Sequence, residues 1–265
     1  MSSALVIADL RLAMFPVVMA CAFGLAPGLN AQPSAQASQR VPVLVELFTS
    51  EGCSDCPPAD SLLGQLDRKQ PIAGAQAIVL SEHVTYWNHD GWTDPYSLDA
   101  MTERQEAYVR HFGLDSSYTP QMVVDGTTQF VGSNAKALIA AVESAAKASK
   151  QPLEIGSAKW DQGSATFSIR GPAAPSAKLF AVLAADATHQ EVSGGENAGR
   201  TLHHVAVVRV MKELGNESAD GRPLKLAGGD LNRKDESDGP VRLVVFLVDR
   251  KTGHVLGAAE QTLQR

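Results

Sequence analysis

Two cysteines separated by two residues, Cys53 and Cys56, lie directly after an apolar run at residues 41–48. The run is typical of a buried strand, and Pro57 and Pro58 suit the first turn of a helix, where a missing N–H costs nothing. The free N–H groups and partial positive charge of a helix N-terminus favour a thiolate over a thiol. Because the thiolate is the reactive form of cysteine, this spacing at a strand-to-helix junction predicts a redox-active dithiol.

The same two cysteines leave two other interpretations open. One is a static disulfide, although a bond that closes so short a loop constrains little chain entropy. The other is a copper or zinc site, which needs about four ligands, so that His83 or His89 would have to join the two thiols. We expect thiol–disulfide exchange, with Cys53 as the exposed nucleophile and Cys56 as the resolving thiol, and we expect no metal ion and no cofactor.

Two acidic residues, Glu51 and Asp55, flank the cysteines. A nearby carboxylate opposes formation of a thiolate, and a destabilised thiolate lowers the reduction potential of the disulfide. The sequence therefore predicts a comparatively stable disulfide, as in a reductant, an isomerase or a protein that rests mostly oxidised.

The N-terminal segment, residues 1–31, has the composition of a secretory signal. A basic residue precedes an apolar stretch at 12–26, and the small residues near Ala31 predict cleavage after it. Lipidation of Cys21 is the alternative. A proline and a glycine interrupt the stretch, which argues against a stable membrane span, and none is expected after signal removal. Because disulfides persist outside the cytoplasm, we expect a periplasmic or secreted protein.

The net charge of the chain indicates which classes of partner it can bind. The 265 residues carry a formal net charge of -6, with no basic stripe of the kind that binds nucleic acid. We therefore expect no nucleic-acid partner, and instead protein thiols or disulfides in the cell envelope.

The pattern along the chain predicts two domains after a polar linker at residues 32–40. Residues 41–150 alternate strand and helix patterns in the order β-α-β-α-β-β-α. Residues 151–265 contain short apolar runs between glycine, proline and asparagine, which predict a β-rich, sandwich-like domain. The order in the first domain, with the dithiol after the first strand, is that of thioredoxin. Thr119-Pro120 precedes the third predicted strand, where thioredoxin-like folds have a cis proline that faces the dithiol, so we predict a cis bond and a catalytic-site position for Pro120.

Other residues are candidates for the same site. Glu46 is an acid inside an apolar strand, where ionisation is costly, so it is a candidate proton carrier for Cys56. The alternative is an acid paired with a lysine, an arginine or a backbone donor. His83 and Tyr86 begin an aromatic, polar segment after the second predicted strand, and with Thr119 they are candidates for substrate binding. Alternatively, this segment is a structural loop whose tryptophans cover the core.

A further motif lies in the second predicted domain. Two glycines, an asparagine, Arg200 and the pair His203 and His204 occur within residues 193–205. These side chains could face an anion or the first domain. The alternative is a long hairpin connection, and two adjacent histidines are weak evidence for a metal site.

Four motifs together are similar to one known family. Residues 46–60, 83–95, 118–121 and 195–205 resemble the signatures of the secreted thioredoxin-like proteins catalogued as domain of unknown function 1223. The resemblance implies an exported protein with a thioredoxin-like domain and implies no known activity. From thioredoxin itself only Cys53, Cys56, Pro120 and Glu46 carry over. Gly52 replaces the aromatic residue that precedes the first thiol there, which argues against thioredoxin-like reductase partners.

Overall fold

The computed structural model describes residues 40–172, 174–215, 219–232 and 239–265. The predicted signal peptide, its cleavage site, Cys21 and the predicted linker up to residue 39 lie outside the described residues. Within the described ranges no helix is long and apolar enough to cross a membrane.

The described ranges form eleven strands and three α-helices. Their order and bounds are β1 (Val41–Thr49), α1 (Pro57–Lys69), β2 (Ala75–His83), α2 (Asp99–Phe112), β3 (Gln121–Val124), β4 (Thr128–Val131), α3 (Ala135–Ala145), β5 (Glu154–Asp161), β6 (Ser164–Arg170), β7 (Ala177–Glu191), β8 (Thr201–Leu214), β9 (Asp220–Ala227), β10 (Val241–Asp249) and β11 (Val255–Leu263).

Most of the chain is organised around one large mixed sheet. Its eight strands have the order β11-β10-β7-β8-β2-β1-β3-β4, and a second sheet of three strands has the order β5-β6-β9. The predicted fold, a thioredoxin-like α/β domain followed by a separate β-sandwich-like domain, is therefore wrong. The protein is mostly β, and the large sheet takes strands from both sides of residue 150.

The pairing of β2 explains this difference. If β2 ended the sheet, it would present a row of unpaired backbone N–H and C=O groups to the surroundings. Instead β8 pairs with β2 in parallel, with Ser81 opposite Val207, and β7 continues the sheet beyond β8. Ser81 is near the end of β2 and Val207 is in the middle of β8, so this contact brings the middle of β8 close to the segments that follow β1 and β2.

The two faces of β1 pack against different helices. Val45 and Leu47 belong to the apolar cluster that contains Leu63 of α1. Alternation along a strand directs Glu46 and Phe48 to the opposite face, where Phe48 packs with α2. The three-stranded sheet packs against the large sheet through an apolar cluster that includes residues of β6 from the small sheet and of β7 and β10 from the large one.

Candidate functional site

A disulfide joins Cys53 and Cys56 between β1 and α1. Cys56 is the N-cap residue of α1, and its carbonyl oxygen accepts hydrogen bonds from the backbone N–H groups of Ala59 at 2.8 Å and Asp60 at 3.1 Å. We expected Cys53 to be exposed, but Cys53 is only 1% and Cys56 0% exposed. The disulfide is therefore enclosed rather than presented on the surface.

Residues 194–200, which we call the cover segment, lie over the loop that contains the disulfide. Asn197 Nδ2 donates to the carbonyl oxygens of Glu51 at 2.8 Å and Cys53 at 2.9 Å. Glu196 Oε2 accepts a hydrogen bond from the backbone N–H of Ser54 at 2.9 Å. Arg200 donates to Asn197 Oδ1 at 2.7 Å, which holds the amide in this orientation. The motif at 193–205 thus faces the dithiol loop of the first predicted domain. Residues 192–200 also connect the antiparallel strands β7 and β8, so the alternative interpretation, a long hairpin connection, is found as well.

Two glycines make this close contact possible. A Cβ atom on Gly194 would lie 2.2 Å from the carbonyl oxygen of Gly91, so any side chain there would separate the cover segment from its neighbour. A Cβ atom on Gly52 would lie 2.7 Å from the carbonyl oxygen of Trp87. The backbone of Trp87 therefore leaves no space for a side chain at the position before Cys53.

A buried imidazole links the dithiol loop to α1. His204 Nε2 lies 3.3 Å from Glu51 Oε1, and His204 Nδ1 lies 3.7 Å from Asp60 Oδ1. Burial alone would lower the pKa of His204, but the carboxylates of Asp60 and Glu51 outweigh it and raise the pKa to about 10. The other carboxylate oxygen of Glu51 accepts a hydrogen bond from Trp92 Nε1 at 3.2 Å. At neutral pH the positively charged imidazolium of His204 therefore lies between the carboxylate of Glu51, which precedes Cys53, and that of Asp60, which follows Cys56.

His83 lies behind this network rather than in an open groove. Its Nδ1 is 2.7 Å from Asp94 Oδ2, which also accepts a hydrogen bond from the backbone N–H of Glu51 at 2.9 Å. Burial would raise the pKa of Asp94, but His83 and the N–H groups of Glu51 and Tyr96 outweigh it and lower the pKa to about 2. The rings of His83 and His204 meet edge to face with centroids 4.6 Å apart. Within the described part of the chain no group of three or more histidine, cysteine, aspartate or glutamate side chains is arranged to hold a metal ion.

Glu46 lies on the sheet face opposite α1 and is not placed beside Cys56. Arg104 Nε donates to Glu46 Oε1 at 2.6 Å, and Tyr108 Oη donates to Glu46 Oε2 at 2.6 Å. Arg104 also lies 3.5 Å from Glu82, whose pKa is raised well above its usual value, mainly by burial and then by the charge of Glu46. The ion pair with an arginine, one of the two interpretations from the sequence, is the arrangement found.

The peptide bond between Thr119 and Pro120 is cis, as predicted. Thr119 Oγ1 accepts a hydrogen bond from Trp87 Nε1 at 2.6 Å, so Thr119 reaches the dithiol loop through Trp87. Tyr86 donates to Gln105 Oε1 at 3.1 Å, is 38% exposed, and has a pKa raised to about 12 by burial of its hydroxyl. A Cβ atom on Gly132 would be 3.1 Å from both Pro120 Cβ and Ala59 Cβ, so Pro120 lies near the first turn of α1.

Several residues of this site were not identified from the sequence as members of it. Five of them contact the dithiol loop or its neighbours through their side chains: Asn197, Glu196, Asp60, Asp94 and Trp92. Their sequence signal was limited to polar residues within motifs, because neither spacing nor periodicity states which distant segments meet. Glu51 was singled out for its charge, but its buried partners were not.

These features define a mostly β protein that encloses a short-spaced disulfide where a helix begins beside a mixed sheet. The chain belongs to the family described as Protein of unknown function (DUF1223), whose model matches residues 44–247. No curated protein matches the chain.

Two solved structures are similar to this chain to very different degrees. The X-ray crystal structure of protein AGR_C_4864 from Agrobacterium tumefaciens is 24% identical, with a TM-score of 0.61 over 84% of this chain and 94% of that chain. This likeness shows the fold alone. Bacteroides uniformis β-glucuronidase 2, covalently bound to cyclophellitol-6-carboxylate aziridine, is 14% identical, with a TM-score of 0.15 over 43% of this chain and 12% of that chain, and carries no argument.

Proposed function

We propose that the disulfide between Cys53 and Cys56 is a reversible redox centre that exchanges electrons with thiols in the periplasm or outside the cell. The observation that carries this proposal is the position of the bond. It joins residues only three apart, within one turn of chain, and so connects no separate elements of the fold. Because the stabilisation from a crosslink grows with the length of the loop it closes, so short a loop gains the least.

The chemistry is a two-step exchange. A donor thiolate attacks the sulfur of Cys53, the bond between the two cysteine sulfurs breaks, and Cys56 leaves as a thiolate that takes up a proton. A second donor thiolate then attacks the donor sulfur of the mixed disulfide, and Cys53 leaves as a thiolate that is also protonated. The protein gains two electrons and two protons, and the two donor thiols become one disulfide. Cys56 suits the role of leaving group because it caps α1, whose N-terminal N–H groups and dipole favour negative charge.

Exchange requires the cover segment to move away from the disulfide. Three hydrogen bonds hold it to the dithiol loop: two from Asn197 and one to Glu196. At about 0.5–1.5 kcal/mol for each bond, opening costs about 2–4 kcal/mol. Such an opening is frequent on the timescale of an exchange reaction, yet it keeps the disulfide shielded for most of the time.

The charges around the site favour an oxidised resting state. Glu51 and Asp60 each bring a carboxylate close to the dithiol loop, and the single imidazolium of His204 lies between them. The net charge of these three side chains is negative, which opposes the formation of a further thiolate. An exported location, in which disulfides persist, suits this state, and thiols or disulfides of envelope proteins are the partners expected from the sequence.

Equilibration with glutathione redox buffers tests the proposal. The folded protein is incubated at a series of thiol-to-disulfide ratios, the free thiols are blocked, and the fraction of blocked Cys53 and Cys56 is read by mass spectrometry. We expect a reversible titration with one midpoint that is the same from the oxidised and reduced starting states. A disulfide that no buffer reduces while the protein stays folded would show that the bond is static.

A further inference from the structure

A cavity of about 520 Å³ opens beside the first turns of α1. Its walls come from α1, the end of β7, the start of β8 and Arg200 at the end of the cover segment. Pro57, the residue that follows Cys56, forms part of the lining. The volume lies within the range of about 300–1,000 Å³ that is typical of small-molecule sites.

Three buried polar atoms of the lining residues have no hydrogen-bond partner among the described residues. They are Asp60 Oδ1, Thr188 Oγ1 and His204 Nδ1, and their residues are 7%, 9% and 3% exposed. The distance of 3.7 Å between Asp60 Oδ1 and His204 Nδ1 suits a charge interaction but is too long for a hydrogen bond. Because buried polar groups are nearly always hydrogen-bonded to protein or to ordered water, three such atoms at one cavity mark positions where water or a polar ligand binds.

The three atoms differ in what they need from that ligand. Asp60 Oδ1 belongs to a carboxylate and only accepts hydrogen bonds, whereas His204 in its charged form donates from Nδ1. Thr188 Oγ1 can do both. A fitting ligand therefore carries a donor, best a cationic one, and an acceptor, best an anionic one.

Two arginines add positive charge to the same cavity. Arg68 and Arg200 both belong to the lining. Arg68 has no ion-pair or hydrogen-bond partner elsewhere in the described part of the chain, and its guanidinium lies over Gly64, where a Cβ atom would be 3.0 Å from Nη1. A guanidinium that is free of other carboxylates is suited to bind the carboxylate of a ligand.

We propose that this cavity binds the zwitterionic end of a small thiol or disulfide of the amino-acid or short-peptide class. The ligand ammonium binds Asp60 Oδ1 and Thr188 Oγ1, and its carboxylate binds the Nδ1–H of His204 and the guanidinium of Arg68. The inference rests on the proposed redox function in one respect, the sulfur of the ligand, since the cavity lies next to Cys56. It also agrees with the enclosure of the disulfide, which a small thiol reaches more easily than a folded protein does.

Calorimetric titration of the oxidised protein with S-methylglutathione tests the binding separately from the exchange. This thioether has the ammonium and carboxylate groups of the proposed ligand but cannot exchange with a disulfide. We expect saturable binding, weakened at least 10-fold for the N-acetyl derivative of the probe, which lacks the ammonium. Absence of saturable binding would mean that the cavity holds only solvent, and equal affinity for the two probes would remove the assigned role of Asp60. Either result would overturn the proposal.

Two variants locate the site, and each has a matched control. Thr188→Val removes one hydroxyl without changing the volume, and Arg68→Gln removes one charge, so each should weaken binding of S-methylglutathione about 5- to 50-fold. Thr128→Val on β4 and Arg110→Gln on α2 should leave it unchanged. Thermal melts confirm that all four variants are folded. Binding that neither Thr188→Val nor Arg68→Gln weakens would place the ligand elsewhere and overturn the proposal.

The same titrations distinguish this inference from the redox function. If S-methylglutathione binds but glutathione does not reduce the disulfide, the cavity is a site for amino acids or peptides. The redox function would then be wrong, and so would the proposal that the ligand is a thiol or disulfide. If glutathione reduces the disulfide but S-methylglutathione does not bind, the proposed redox function stands and the proposed ligand site in the cavity is overturned.

Discussion

The side-chain amide of Asn197 donates a hydrogen bond of 2.9 Å to the carbonyl oxygen of Cys53, which lies 144 positions earlier in the chain. A second bond from the same nitrogen reaches the carbonyl oxygen of Glu51 at 2.8 Å. Asn197 is 0% exposed, so these bonds are shielded from water. One side chain of the cover segment therefore fixes the backbone of both Glu51 and Cys53.

The first prediction concerns this contact. Asn197→Ala removes both hydrogen bonds, which together contribute about 1–3 kcal/mol, so the cover segment should open more often. We expect reduction of the disulfide by a water-soluble phosphine to become about 10- to 100-fold faster, as followed by thiol trapping. Asn134→Ala, which removes the side-chain cap of α3 far along the chain, is the matched control and should not change the rate. Equal rates in the wild type and Asn197→Ala would mean that the cover segment does not limit access.

The second prediction concerns the pH dependence of stability that arises from His204. Its pKa rises from 6.5 in the unfolded chain to about 10 in the folded protein, so the folded state binds the proton more tightly. The resulting stabilisation is fully present below about pH 6.5 and is lost as the pH rises to about 10. We expect the free energy of unfolding of the oxidised protein to fall by about 3–5 kcal/mol across that window.

His204→Gln should remove this decline, as measured by urea denaturation at a series of pH values. His203→Gln, at the adjacent exposed position, should keep it. A His204→Gln variant whose stability still fell with the wild-type slope would show that another group is responsible for the decline.

The third prediction concerns Asp94, whose pKa is lowered from 3.8 to about 2. A carboxyl group with a lowered pKa contributes stability above about pH 3.8 that is lost as the pH falls to about 2. This contribution is about 2 kcal/mol. Asp94→Asn should lower the free energy of unfolding at neutral pH and flatten its acid dependence, whereas Asp115→Asn at an exposed position should do neither. Acid titrations followed by circular dichroism measure both effects, and an unchanged acid transition in Asp94→Asn would contradict the assignment.

The fourth prediction concerns the buried ion pair on the other face of the sheet. Arg104→Met leaves Glu46 and Glu82, both 0% exposed, without their cation, which should destabilise the protein by about 3–5 kcal/mol at neutral pH. The loss should be smaller in acid, where the carboxyl groups become neutral. The midpoint of the glutathione titration should not move, because the sheet separates this pair from α1. Arg110→Met on the exposed side of α2 is the control for stability, and a shifted midpoint in Arg104→Met would show that the pair is coupled to the dithiol after all.

Local features of the fold were accessible from the sequence. The apolar run before Cys53 is β1, and Pro57 and Pro58 begin α1 as expected from their missing N–H groups. These features depend on residues within a few positions of one another, and backbone dihedrals and side-chain periodicity act over that range. The cis bond at Pro120 was predicted differently, from the position of a cis proline in thioredoxin-like folds.

The sequence by itself thus determined the family, the positions of the first strands and helices, and a pair of cysteines spaced for a disulfide. Only the tertiary structure decided that β8 joins β2, that the sheet is continuous, and that Glu46 pairs with Arg104 on the face opposite α1. It also decided that Cys53 is enclosed, since Asn197 and His204 reach the dithiol loop from the segment around the start of β8. The physical reason is that strand edges and buried charges are satisfied by whichever partners the whole chain brings within reach, and a local pattern of residues does not specify those partners.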